Sequence, residues 1–425
     1  MPIPLPTTFG KRIDFINKTM REEFSLEPIH IEPLDFDHDT LFPYNNFVYR
    51  LELRCVVGTN HTTKTSKPQP GATPLPPNFT TLAIRLNNPR ALLNDTNRVE
   101  NEVAMMSLAR DALKYIPNKL VPEIYGWGSA ATGQGWILQQ YMPGKKLDLV
   151  LRTLQLKDKK PILRQIAEII KALQNYQLPE TIPGYGGLSF DVSGNIVSAQ
   201  MTLLRGGPYP TYQAYYKALL QAHLDEADKN AVILGWEANG VRKRLDKFIA
   251  EKLDSIIQNC GPNKKTLVHG DFNANNLLVD PRTHRLTALL DFDWAHIAWA
   301  SDEFFRSFKS MDGQFSGPCF NDSDTQILRN CFIRGFPDPL PDHSCEIGWE
   351  FAKAWDDELA RMRARKPSNM RGFVALADLH WLHNQITPYF LCNPTILQYR
   401  KKQDLETDRK EAEEWLVWFL NSNGY

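Results

Sequence analysis

Apolar and polar positions alternate in three stretches of the first third of the chain. "YNNFVYRLELRCVVG" (44–58) reads as one or two strands, and "TTLAIRLNN" (80–88) and "GWILQQYMPG" (135–144) as further strands, the last ending at a Pro-Gly break. Between these two, Val99, Val103 and Met106 recur at helical spacing, with Asn97 and Glu100 as a capping pair at the start. From about Lys145 the period changes from two to between three and four. "ILRQIAEIIKALQNY", "TYQAYYKALLQAHLDEA", "VRKRLDKFIAEKLDSIIQN", "WEFAKAWDDELARMRAR" and "DRKEAEEWLVWFLN" all read as amphipathic helices. The pattern predicts an α+β chain. A helical or extended segment (1–40) precedes a small, mainly β lobe with one helix (41–144), and a large helix-rich lobe follows (145–425). One stretch fits neither period. Residues 59–80 hold five Pro and six Thr but three apolar residues among 22, the composition of a mobile insertion, either a solvated linker or a lid over a substrate.

Length and charge narrow the function. A chain of 425 residues suits two lobes sharing a cleft. Lys plus Arg equals Asp plus Glu at 49 each, so no basic excess marks a nucleic-acid or membrane-surface binder. No run approaches the roughly 18 apolar residues needed to cross a bilayer. The start, "MPIPLPTTFGKRIDF", has no apolar core of a secretory signal. A cytoplasmic protein is expected, with Cys55, Cys260, Cys319, Cys331, Cys345 and Cys392 as reduced thiols. A zinc site or a disulfide framework is the second reading of those cysteines, although no CxxC pair occurs.

The candidate chemistry lies in "LVHGDFNANNLLVDPRTHRLTALLDFDWAH" (267–296). Two short apolar strands, 277–279 and 286–290, flank the polar turn "DPRTHR". A tight hairpin brings its outer ends together, and these carry Asn276 and Asp291. Both offer hard oxygen atoms of the kind Mg²⁺ takes alongside substrate phosphates. Asp271, in the loop before the hairpin, is left to accept a hydrogen bond from a hydroxyl nucleophile. An Asp, an Asn five residues later and a second Asp fifteen beyond that reproduce the catalytic-loop and metal-loop spacing of kinases.

These segments resemble the aminoglycoside phosphotransferase and choline kinase family, the small-molecule branch of the protein-kinase-like fold, and most of all its divergent members in filamentous fungi. "HGDFNANNLLVD" and "LLDFDWA" resemble the catalytic and metal motifs, "EVAMMSLARDALKYIPNKLVPEIYGW" the helix and strand that follow the nucleotide strand, and "WILQQYMPGKKL" the hinge. The likeness covers about residues 40 to 400. It implies a two-lobed fold, ATP as phosphoryl donor and Mg²⁺ as cofactor. Asp271 would orient the acceptor hydroxyl and take its proton, Asn276 and Asp291 would hold the metal, and His269 would buttress the loop or be structural alone. Asp293 would either support the metal ligands or be a surface acid.

The nucleotide end departs from the family. Arg85 stands where kinases carry a Lys on the third strand, and Glu102 is its expected partner on the helix. The competing reading of Arg85 is an outward side chain on an edge strand. Backbone groups near Gln140 and Met142 would meet adenine. The first hairpin lacks the usual glycines, so Asn45 or Asn46 would supply a left-handed turn.

A protein kinase is disfavoured. Asn273 takes the place of a Lys two residues after the catalytic Asp, and no Ala-Pro-Glu motif follows. Residues 341–400 hold seven acidic and seven basic residues, without the acidic bias a polycationic substrate would favour. Trp349, Trp355, Trp381 and Tyr389 in that stretch are core residues or part of a ligand cage. The expectation is an ATP-dependent O-phosphotransferase acting on a small hydroxylated metabolite. The alternative is a catalytically weak kinase-like protein serving as a binding or regulatory module.

Overall fold

The computed structural model of the chain describes residues 5–34, 44–54, 69–91, 93–261, 263–315, 317–318, 323–341 and 347–425. The N-terminal part is built on strands β1 (Pro28–Leu34), β2 (Asn46–Leu53), β3 (Thr81–Asn87), β4 (Ile124–Gly128) and β5 (Trp136–Gln140). They form one antiparallel sheet in the order β1-β2-β3-β5-β4, which puts β3 in the middle. Alternate side chains of a strand point to opposite faces. Leu82, Ile84 and Leu86 therefore share one face with Tyr49, Leu51 and Leu138. Helix α1 (Leu5–Phe24) covers that face through Ile16, Met20 and Phe24. Ala83 and Arg85 point the other way, into the molecule. Residues 5–34 thus give the sheet its edge strand and its outer layer.

The second helix, α2 (Arg98–Ala112), puts Val99, Val103 and Met106 into the main core. The expected capping pair is not formed. The Asn97 amide instead donates to the carbonyls of Leu188 at 2.8 Å and Gln200 at 2.7 Å, tying the helix to the other lobe. The proline- and threonine-rich stretch divides. Residues 59–68 lie outside the described residues, whereas 69–80 are docked: Gln69 and Trp127 exchange two hydrogen bonds at 2.9 and 3.0 Å, and Thr73 N–H donates to the Ile124 carbonyl at 2.8 Å.

After β6 (Lys145–Lys146) the chain turns mainly helical. In order come α3 (Leu147–Leu151), α4 (Leu156–Asn175), the hairpin β7 (Gly187–Phe190) and β8 (Ile196–Ala199), and α5 (Tyr212–Lys229). Helices α6 (Val241–Glu251) and α7 (Leu253–Asn259) break at Lys252 what reads as one helix in the sequence. Strands β9 (Lys265–Val268), β10 (Leu277–Asp280), β11 (Arg285–Leu289) and β12 (His296–Trp299) carry the motif region. Then follow α8 (Ser301–Arg306), α9 (Ser323–Arg334), α10 (Trp349–Arg361), α11 (Phe373–Ile386), α12 (Tyr389–Cys392), α13 (Pro394–Leu397) and α14 (Lys402–Ser422). The fold is α+β, two-lobed and kinase-like. No described helix is long and apolar enough to cross a membrane. Cys260, Cys331 and Cys392 are unbridged, and Cys55, Cys319 and Cys345 lie outside the described residues.

Candidate active site

Strands β9 and β12 pair antiparallel, with Val268 opposite His296. The chain between them must therefore leave and return at one place. It does so through the β10–β11 hairpin, whose base is closed by Leu290 N–H donating to the Asn276 carbonyl at 2.9 Å. That bond sets Asn276 beside Asp291, as the spacing predicted. Asn276 is also joined to Asp271, because its amide donates to the Asp271 carbonyl at 2.9 Å and to Oδ2 at 2.8 Å. The Asn273 amide donates to the other carboxylate oxygen at 2.7 Å. Burial lifts Asp271 to a pKa of about 6, with the Asn273 amide opposing, nearby Asp291 adding to the rise and the Asn276 amide opposing again.

His269 does not face a cavity. It is fully buried, its Nε2–H donates to the Leu290 carbonyl at 3.0 Å and its Nδ1 accepts from Asp271 N–H at 3.3 Å. Burial holds the ring neutral, with a pKa pushed down to about 4. His269 thus braces the loop that carries Asp271 against the loop that carries Asp291. Gly270 has a φ of +76°, and a Cβ there would come within 2.7 Å of the Trp294 carbonyl, so the close crossing of the two loops requires glycine.

Of the nucleotide-side residues, the expected pair of Arg85 and Glu102 is formed. Arg85 pairs with Glu102 through Nη1, and its Nη2 reaches Asp291 Oδ1 at 3.0 Å. The edge-strand reading of Arg85 fails because β3 is central and both of its faces are covered. Burial pushes the Glu102 carboxyl up while the Arg85 charge opposes it. Asp293 is no surface acid: only 1% exposed, it receives Arg98 Nε at 3.1 Å, Arg98 Nη2 at 2.9 Å and the Asn46 amide at 2.6 Å. Burial alone would raise it, but the Arg98 and Arg85 charges hold it below the usual carboxylate range.

A cavity of about 390 Å³ is lined by Arg85, Asn276, Asp291, Gln139, Lys146 and Tyr49, with residues of β1 and β2 above. Gln140 and Met142 are not among its lining residues, and Gln140 N–H is already given to the Glu123 carbonyl at 2.8 Å. Neither Asn45 nor Asn46 takes a left-handed conformation, since Asn46 opens β2 and spends its side chain on Asp293 and Arg98. Most of the connection between β1 and β2, 35–43, lies outside the described residues. Among the described residues no group of three His, Cys, Asp or Glu is placed to hold a metal. Asn276 and Asp291 nonetheless offer oxygen atoms to one cavity, and two protein oxygens are what a phosphate-bound Mg²⁺ asks for.

A second cavity, of about 530 Å³, lies among α5, α8, α11 and α12, and is bordered by Trp294 of the loop that carries Asp291 and Asp293. Of the aromatic residues expected there, Trp349 and Trp355 are core, while the exposed Tyr389 lines the cavity.

Two residues of the site escaped the sequence reading. Arg98 stands four before Glu102 and hence on the same helix face, a signal that was present once Glu102 had been placed inward. Glu303 on α8 accepts His269 N–H at 2.6 Å and Gly270 N–H at 3.0 Å, clamping the loop from behind. Its sequence signal was a pair of adjacent acids, Asp302 and Glu303, between two apolar runs.

The sequence profile described as "Phosphotransferase enzyme family" matches residues 78–322, more than half of the chain. No curated protein matches. Among solved structures, the chain is similar to the aminoglycoside phosphotransferase APH(4)-Ia, at 14% identity over 96% of this chain and 99% of that one, with a TM-score of 0.47. It is also similar to APH(2")-IIa, solved in complex with gentamicin, at 13% identity over 95% of each chain, with a TM-score of 0.48. On the profile match across both motifs, the chain belongs to the phosphotransferase enzyme family.

Proposed function

We propose that the protein transfers the terminal phosphoryl group of ATP to a hydroxyl of a small molecule. The observation that carries this reading is the joined set of Asp271, Asn276 and Asp291, in which one amide bonds the catalytic carboxylate and the hairpin base sets the second Asp alongside. The acceptor oxygen forms its bond to phosphorus as the bond to the leaving ADP breaks, and the hydroxyl proton passes to the Asp271 carboxylate. Asn273 and Asn276 each hold one oxygen of that carboxylate, which fixes its direction before the acceptor arrives. Asn276 Oδ1 and Asp291 would hold Mg²⁺, which when bound neutralises charge on the phosphate oxygens. Arg85 presents its fork to the same cavity, where it would meet the inner phosphates. Gln140 has already given its N–H to Glu123 and neither Gln140 nor Met142 lines this cavity, so main-chain contacts of these two residues to adenine are not part of this reading.

Asn273 stands two residues after Asp271, where a protein kinase carries a Lys, and its amide bonds that carboxylate at 2.7 Å. The replacement of that Lys supports a small-molecule acceptor. A thermal-shift titration tests the reading directly. ATP with Mg²⁺ should stabilise the protein by about 2.7 kcal/mol at 100 times Kd, and much less with EDTA. No shift at millimolar ATP with Mg²⁺ would sink it.

One contact favours the second reading, a kinase-like module that binds without turnover. Arg85 Nη2 bonds Asp291 Oδ1, so the basic residue competes with a cation for that oxygen. Nucleotide stabilisation that is unchanged by EDTA would select this second reading.

A further inference from the structure

The cavity beside Trp294 contains an unusual pairing of groups. Its polar wall is made largely of side chains that carry no charge. His223 pairs through Nδ1 with the Thr387 hydroxyl, and burial, followed by the Arg306 charge, lowers its pKa to about 4. His383 is fully buried and held well below the usual histidine range, chiefly by burial. Glu226 is exposed and sits at the rim. Within the walls the charged group is Arg306, half-buried, with no hydrogen-bond or ion-pair partner among the described residues.

A half-buried guanidinium with no protein partner among the described residues keeps its hydrogen-bonding capacity for whatever enters the cavity, water or an anionic ligand. The planar fork of Arg matches a carboxylate with two parallel hydrogen bonds. Its position is also suggestive. Arg306 ends α8, whose Glu303 holds the His269 and Gly270 amides and whose next residue, Ser307, accepts Phe272 N–H at 2.8 Å. The charge is therefore fixed relative to Asp271 by the same helix that clamps the catalytic loop.

We infer that the acceptor alcohol carries a carboxylate, received by Arg306, on a body that packs against Trp294 and Tyr389. Calling this ligand the acceptor rests on the phosphotransfer reading; the anion preference of the cavity does not.

The test uses three probes of one shape and different charge: 4-(hydroxymethyl)benzoate, 4-(hydroxymethyl)benzamide and 4-(hydroxymethyl)benzylamine. Each is titrated calorimetrically into the full chain without nucleotide. The carboxylate should bind about tenfold or more tighter than the amine, as expected for a hydrogen-bonded charge pair. Arg306→Gln should remove that preference while leaving the benzamide unchanged, and Arg306→Lys should retain part of it. The inference is overturned by an amine that binds as well as the carboxylate, by carboxylate affinity unchanged in Arg306→Gln, or by failure of all three probes at about 10 mM, well into the weak end of measurable affinity. ATP with Mg²⁺ is titrated into the same preparation. Carboxylate selectivity without a nucleotide response would defeat the phosphotransfer reading alone, and the reverse would defeat only this one.

Discussion

Arg98 holds Asp293 across 195 residues of chain, with Nε at 3.1 Å and Nη2 at 2.9 Å from the two carboxylate oxygens. The same Nη2 reaches the Asn45 carbonyl at 2.6 Å. One guanidinium thus fixes the start of α2, the residues that open β2 and the loop that carries Asp291. Four residues along the helix, Glu102 holds Arg85, which returns to Asp291. Two arginines and three acids form one lattice between the lobes, buried except at Asp291, which opens onto the cavity.

Removing one member should expose the cost of the others. Arg98→Ala leaves Asp293 buried without its main partner, and breaking such a pair typically costs about 3–5 kcal/mol. Denaturant unfolding should show a loss of that size. The apolar pair Arg98→Met with Asp293→Leu should recover a good part of it. A loss below about 1 kcal/mol for Arg98→Ala would place the pair with exposed bridges instead.

Arg85 should respond differently to length and to charge. Arg85→Lys keeps a cation for Glu102 but loses the fork that also reaches Asp291, freeing that oxygen. Stabilisation by ATP with Mg²⁺ should be equal or larger in this variant. Arg85→Ala should weaken it and lower turnover. If Arg85→Ala changes neither ATP affinity nor rate, Arg85 does not serve the nucleotide.

The two aspartates should separate chemistry from binding. Asp271→Asn should lower kcat by about 10²- to 10⁴-fold while leaving the nucleotide thermal shift nearly intact. Asp291→Ala should remove the Mg²⁺-dependent part of that shift. The opposite pattern would mean the two roles are exchanged. Thermal shift alone distinguishes them before an acceptor is known.

The neutral histidines predict an acid limit. His223 titrates near 4 in the folded protein and near 6.5 when unfolded, so between these values the unfolded chain binds the extra proton. Its share of stability is complete above about pH 6.5 and is lost as pH falls toward about 4. The melting temperature of His223→Gln should therefore fall less steeply than wild type across that window. Parallel slopes would show that His223 is not held neutral.

Local sequence determined much of this protein. Strand and helix periods located β2, β3, β5, α4, α5, α10 and α14, because burial of one face leaves a repeat in the chain itself. The motif also located Asp271, Asn276 and Asp291, since a tight hairpin converts a fixed interval into proximity. Tertiary structure decided the rest. An outward Arg85 stays open as a competing reading until α1 covers the far face of β3, and that cover comes from residues some seventy positions earlier. The Asn97–Glu100 cap looked sound locally, yet Asn97 bonds Leu188 and Gln200 instead, because partners from the other lobe arrive only on folding. The hairpin of β7 and β8 was hidden among helical segments for a related reason, as its support is α2, with Asn101 accepting Leu188 N–H at 2.7 Å. Periodicity records which side of an element is buried; which distant charge or carbonyl lies against that side is set only when the lobes meet.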